Sequence, residues 1–210
     1  DLHSFPTRRS SDLWINTPPI GRVIEVLGNM DDAGMEIEIA VRKFDVPHRF
    51  NDAVLAEAGA LPDSLRPADY RNRVDLRDVP LVTIDGEDAR DFDDAVYCEP
   101  VTDAKTGKPR GWRLLVAIAD VSHYVRPGSA LDAEAQERTT SVYFPRRVIP
   151  MLPEKLSNGL CSINPEVDRL VLVADMVIDT DGEVVAYQFY PAVMYSAARL
   201  TLSRDRKSVV

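Results

Sequence analysis

A mixed α+β protein made of two pieces is the fold class the sequence predicts, on three observations. Apolar and polar residues alternate with period two between Ile20 and Arg42 and again in several runs after Pro80, as half-buried strands require. The Ala-, Leu- and Glu-rich stretch from Asn51 to Leu61 breaks that period and ends at Pro62, as a short helix does. The 210 residues, 45% hydrophobic and 28% charged, suffice for one large domain or two smaller ones, each with its own core.

Taken in order, residues 1–13 (DLHSFPTRRSSDL) show neither an apolar signal core nor a structural period, and residues 204–210 (RDRKSVV) break the strand pattern before them. Both are expected to be foreign to the fold. Residues 14–44 form the first piece. Its alternation is cleanest where Met35, Ile37, Ile39 and Val41 face Glu36, Glu38, Ala40 and Arg42, which predicts two strands joined between Gly28-Asn29 and Gly34. Residues 45–79 are expected to link the pieces. They hold the short helix, capped by Asn51 or Asp52, and a Pro-, Asp- and Arg-rich surface stretch from Ala60 to Arg77.

The second piece, residues 80–203, opens with a strand at Pro80–Ile84. Strands at Ala95–Tyr97 and Trp112–Ala119 follow around a turn at Thr106-Gly107. Ser129 with Asp132 approximates a capping box and predicts a helix over Ala130–Arg138. Leu170–Ile178 and Glu183–Tyr190 flank Asp179-Thr180-Asp181-Gly182, which predicts a hairpin.

Several function classes are excluded. A net charge of −9 argues against a general phosphate-coating role. No apolar run approaches the roughly 18 residues of a membrane-spanning helix, so no membrane association is expected. Cys98 and Cys161 are far apart and form no CxxC, which speaks against a disulfide framework or zinc knuckle and for a reducing, cytoplasmic setting. There is no GxSxG elbow, and Gly107-Lys108 lacks the upstream glycine of a phosphate-binding loop. His3, His48 and His123 are scattered, and His123 is expected to be a surface or packing residue rather than a ligand.

The segment from Thr83 to Asp94 is the informative one. It places Asp85, Glu87, Asp88, Asp91, Asp93 and Asp94 directly after an apolar strand. Like charges this close raise one another's pKa unless a cation or hydrogen-bond donors compensate. Hard divalent Mg²⁺ suits such a set, because it prefers carboxylate oxygens and leaves positions for water and phosphate. A solvated acidic turn would look similar. The strand leading in, the turn at Gly86 and the alternation Asp91-Phe92-Asp93, which can direct two carboxylates one way and the ring toward a core, favour a site. An EF-hand is excluded, since placing Gly86 at its sixth position puts Leu81, Thr83 and Phe92 at ligand positions.

Three blocks carry a family resemblance: VDLRDVPLVTIDGEDARDFDDAV, WRLLVAIADVSHYVRPGSALDAEA and TSVYFPRRVIPMLPEKLSNGLCSINP. Together they resemble the catalytic RNB domain of the ribonuclease II family. The upstream GRVIEVLGNMDDAGMEIEIAVR resembles the end of that family's second OB-type cold-shock domain. The fold so implied is the C-terminal strands of an OB-type cold-shock domain followed by the N-terminal portion of an RNB domain, from about Gly21 to Leu202. The resemblance implies a processive, Mg²⁺-dependent 3′-to-5′ exoribonuclease that releases nucleoside 5′-monophosphates from single-stranded or structured RNA 3′ ends. By matching position it makes Asp85, Asp91 and Asp94 metal-binding carboxylates, Asp93 the catalytic aspartate and Tyr143 the ring that stacks on the 3′-terminal base. Without the resemblance, Tyr143 reads as a core aromatic. Arg146 and Arg147 suit an RNA backbone or a solvated surface pair equally, and the block Ser157–Asn164 shapes the cleft without an assigned residue role. The family pattern continues past Leu202, so a fragment is expected. The alternative is a noncatalytic RNB-like RNA-binding or regulatory protein, against which the intact aspartate quartet argues.

Overall fold

The computed structural model describes residues 21–87 and 89–201, so the two terminal segments expected to be foreign lie outside the described residues. In chain order the helices are α1 (Met35–Lys43), α2 (Asp52–Ala60) and α3 (Ala130–Arg138). The strands are β1 (Val74–Asp75), β2 (Val82–Asp85), β3 (Asp94–Thr102), β4 (Pro109–Ala119), β5 (Val142–Phe144), β6 (Arg147–Ile149), β7 (Asp168–Ile178), β8 (Val184–Tyr195) and β9 (Ala198–Thr201). A π-helical turn occupies Lys155–Leu160. The chain divides into two units, one holding residues up to Arg49 with Val142–Ile149, the other holding Phe50–Ser141 with the chain from Pro150 on.

In the smaller unit the structure corrects the strand pair expected between Ile20 and Arg42. Residues 21–29 form no regular element, and the alternating stretch folds as α1. The charges account for this. Glu36 and Glu38 sit in the first turn and Arg42 and Lys43 in the last, each with the sign the helix dipole favours. Glu38 also pairs with Arg42 one turn on, whereas a strand would hold these residues about 13 Å apart. Arg42 further meets Glu25 at 3.1 Å, and Gly34, with φ 88°, turns the chain into the helix. The hairpin β5–β6, with Tyr143 opposite Val148, belongs to this unit and is tied to α1 by the ion pair Arg147–Glu38.

The larger unit is built on a seven-stranded sheet in the order β1-β8-β7-β4-β3-β2-β9. Neighbours run antiparallel except β1–β8 and β2–β9. Only Ser196 and Ala197 separate β8 from β9, so one stretch of chain pairs with β7 and then with β2, and the sheet curls round to meet it. Leu81, Phe92, Leu115, Ala117, Leu131, Leu156, Ile163, Leu170, Val173 and Met194 fill the core.

Local chemistry explains the elements the sequence announces. The Asn51 side chain accepts from the Val54 N–H at 3.0 Å and starts α2. Ser129 Oγ accepts from the Asp132 N–H, and Asp132 Oδ2 accepts from the Gly128 N–H, a capping box displaced by one residue. Asp179 Oδ1 accepts from the N–H groups of Asp181 and Glu183, closing the β7–β8 turn in which Gly182 takes φ 88°. At Gly111, φ 137°, a Cβ would lie 1.9 Å from the Ile178 carbonyl oxygen, so only glycine permits this approach of β4 to β7.

The stretch expected as a linker is built into the larger unit from Phe50 onward. Val54 and Ala58 of α2 join the core, and β1 pairs with Ala192 and Val193. Most of the polar residues between Asp63 and Arg77 are exposed, as expected of a surface stretch, but Asp69 is buried against Arg66, and the Tyr70 hydroxyl donates to Asp168 at 2.9 Å. Among the described residues no helix is long and apolar enough to cross a membrane.

Candidate functional site

The quartet assigned by position gathers at one end of the sheet. Asp85 closes β2, Asp94 opens β3, and Asp91 and Asp93 flank Phe92 in the loop between them. Of the alternation read from the sequence, the Phe92 ring is buried and Asp93 is exposed, while Asp91 is only half-exposed. Asp94 pairs with Ile118 of β4, and Asp93 accepts from the Ala119 N–H at 2.8 Å, so the loop's end is fixed by the central strands.

Electrostatics couple the four carboxylates. Burial raises Asp85 above the ordinary carboxylate value, the charges of Asp94 and Asp91 add to this, and Arg199 draws it partly back. One oxygen of Asp85, Oδ2, is buried without a hydrogen-bond partner. Enclosure by the surrounding chain raises Asp93 as well, with Asp91, Asp94 and Asp85 pushing the same way. Among the described residues no lysine or arginine forms an ion pair with Asp85, Asp93 or Asp94.

A hard divalent cation fits this donor set. An orphaned buried carboxylate oxygen and mutually repelling neighbours are what such an ion relieves. Among the described residues no three His, Cys, Asp or Glu side chains stand close enough together to hold a metal ion between them. Mg²⁺ does not need three, since it is commonly held by one or two carboxylates with waters and substrate phosphate completing its octahedron.

Two supports of the loop were not readable as functional. Ser162, fully buried, accepts from the Phe92 N–H at 3.0 Å and donates to the Arg90 carbonyl at 3.3 Å, while the Ile163 N–H donates to the Phe92 carbonyl at 2.8 Å. These contacts give the block Ser157–Asn164 its residue-level role. Arg199 of β9 donates to the carbonyls of Glu87 and Ala89 and lies 4.5 Å over the Phe92 ring. The only sequence signal for either was membership of a motif block or strand.

The other candidates fall elsewhere. Tyr143 is exposed on the β5–β6 hairpin of the smaller unit, which removes the core-aromatic reading. Arg147 is engaged by Glu38, so of the basic pair only Arg146 projects as an exposed cation. His123 lies edge-on to Tyr124 with Nε2 3.4 Å from Asp69, a packing role as expected. Both cysteines are free, and burial pushes the Cys161 thiol up to about 12, away from reactivity.

Comparison with known proteins places these residues in context. The RNB domain profile matches residues 73–205, and the Cold shock domain profile matches residues 4–51. Ribonuclease R of Escherichia coli (strain K12) is 53% identical over 204 residues, 97% of this chain and 24% of that protein. Mycoplasma genitalium RNase R in complex with ribose methylated single-stranded RNA aligns with a TM-score of 0.76 and 38% identity, covering 84% of this chain and 27% of that one. The same protein in complex with double-stranded RNA aligns equally well and is covered to 30%. The chain therefore spans about a quarter of the length of the curated relatives it matches. All four aspartates fall within the RNB match.

Proposed function

The chain belongs to the RNB domain family, and on that premise we propose that it carries the cleavage centre of a Mg²⁺-dependent, processive 3′-to-5′ exoribonuclease that hydrolyses RNA to nucleoside 5′-monophosphates. The observation that carries the reading is the quartet gathered at one end of the sheet: Asp85 Oδ2 is buried without a partner, and Asp85 and Asp93 are both raised, first by burial and then by like-charged neighbours. A fold tolerates such repulsion where an external cation is to relieve it.

Asp85, Asp91 and Asp94 are the residues that would hold the cation. When bound, it supplies charge neutralisation at the scissile phosphate and lowers the pKa of a bound water. Asp93 is the catalytic residue. Its carboxylate orients the attacking water and takes its proton, a role that its pKa, raised above the ordinary carboxylate value by burial and by like charges, favours. Ser162 and Arg199 keep the loop that carries Asp91 and Asp93 in one conformation, so the carboxylates need not reorganise at each turnover. The exposed Tyr143 ring stacks on the 3′-terminal base, a contact that tolerates any sequence.

Single-stranded RNA ends and structured RNA are the substrates, in keeping with the two RNA complexes of the Mycoplasma genitalium relative. A reducing cytoplasm is the setting, consistent with two free cysteines. The test is a time course on 5′-labelled single-stranded RNA with Mg²⁺, using the chain extended to the length of its relatives, its Asp93→Asn variant and an EDTA control. Stepwise shortening lost in both controls is expected. Cleavage that persists in EDTA, or none in the unmodified extended protein, refutes the reading.

A further inference from the structure

The geometry points to Ser162 as a positioning residue for the acidic loop, one that fixes the direction of the Asp91 and Asp93 carboxylates without touching substrate. The inference rests on the reading of that loop as a cation and cleavage site, and deepens it.

Phe92 lies between Asp91 and Asp93 in the loop, its ring buried while Asp93 is exposed and Asp91 half-buried. Whatever anchors the Phe92 backbone therefore also constrains the backbone from which both carboxylates project. Three contacts do this. The Phe92 N–H donates to Ser162 Oγ, the Phe92 carbonyl accepts from the Ile163 N–H, and the ring is buried. Ser162 Oγ also donates to the Arg90 carbonyl, so one hydroxyl spans both sides of Asp91.

The anchor is itself held. Arg169, buried, donates from Nε to the Ser162 carbonyl at 2.7 Å and from Nη1 to the Asp168 carbonyl at 3.0 Å. The Asn164 side chain donates to the Asn158 carbonyl at 3.1 Å and closes the segment that follows the π-helical turn. A hydroxyl is also what the place demands: it accepts from one backbone group and donates to another in a position closed to water, which alanine cannot do. Ser162 thus stands to the carboxylates as an outer hydrogen-bond partner stands to metal ligands: it contributes orientation rather than a bond to the ion.

The test is calorimetric titration of the chain with Mn²⁺, comparing wild type, Ser162→Ala and Ser162→Thr, with circular dichroism confirming that each is folded. Wild type is expected to bind, Ser162→Ala to bind about 10–100-fold more weakly, and Ser162→Thr, which keeps the hydroxyl, to recover most of the difference. Equal affinity in folded wild type and Ser162→Ala overturns the positioning role while leaving the cation site intact. Absence of Mn²⁺ binding in wild type overturns the cation site and the positioning role with it. Should Ser162→Ala fail to fold, hydrogen exchange at the Phe92 amide of the unmodified chain decides: slow exchange supports the anchor, and exchange at the rate of an open loop overturns it.

Discussion

Asp93 and Asp120 are neighbours on the same ladder, since the Asp93 carbonyl accepts from the N–H of Ala119, the residue before Asp120. Their carboxylates nevertheless stand in opposite conditions. Burial works against the Asp120 charge, yet hydrogen bonds from Ser122 and Arg73, both at 2.6 Å, hold its pKa below the ordinary value. Asp175 is likewise lowered, by Arg113 at 2.8 Å and by Gln188 and Tyr190. In the acidic loop enclosure and like charges raise Asp85 and Asp93 instead. The protein is able to satisfy buried carboxylates and does so at Asp120, next to the Ala119 that bonds Asp93, and at Asp175. This contrast is what the proposed cation site rests on.

The contrast gives opposite expectations for removing a charge on each side. On the proposed chemistry, Asp93→Asn slows RNA cleavage about 10²–10⁴-fold, the usual worth of general acid–base catalysis. It leaves RNA binding in a gel-shift assay intact and costs no stability at neutral pH in the absence of divalent cations. Normal turnover removes Asp93 from the chemistry. Arg73→Ala does the reverse, stranding the Asp120 carboxylate at a buried site and losing about 3–5 kcal/mol in urea denaturation. A neutral Arg73→Ala would erase the distinction between the two regions. The smallest effect is that of Tyr143→Ala, which removes about 1–3 kcal/mol of base stacking. It is expected to lengthen the final product on a denaturing gel rather than stop cleavage, and unchanged end products would refute the stacking role.

How far the sequence disclosed these features depended on the distance over which each is determined. Strands β3, β4, β7 and β8 and the Ser129 and Asp179 caps were legible because each is set by residues a few positions apart. The acidic loop was legible as composition. Helix α1 was misread because Met35, Ile37, Ile39 and Val41 follow a strand period, while the deciding signal was the charge order ending in Glu38–Arg42. Strand β1, two residues long, has no period to detect. Ser162 could not be assigned a role because its partner Phe92 is 70 residues away, and the buried oxygen of Asp85 appears only once β2 and β9 are side by side.

The thermal midpoint of the chain as a function of pH, with and without Mg²⁺, tests the cation site most directly. Asp120 and Asp175, lowered in the fold, contribute stability that is lost as pH falls through their lowered pKa values. Asp85 and Asp93, raised in the fold, contribute in the opposite window: their share is full below the ordinary carboxylate pKa and lost as pH rises through the raised one. Mg²⁺ should therefore restore stability only above that raised value, by about 5–10 °C when present at a hundred times its dissociation constant. Asp85→Asn should abolish most of the gain. A midpoint indifferent to Mg²⁺ at every pH, or a gain that survives Asp85→Asn undiminished, would contradict the assignment of this loop as the cation site.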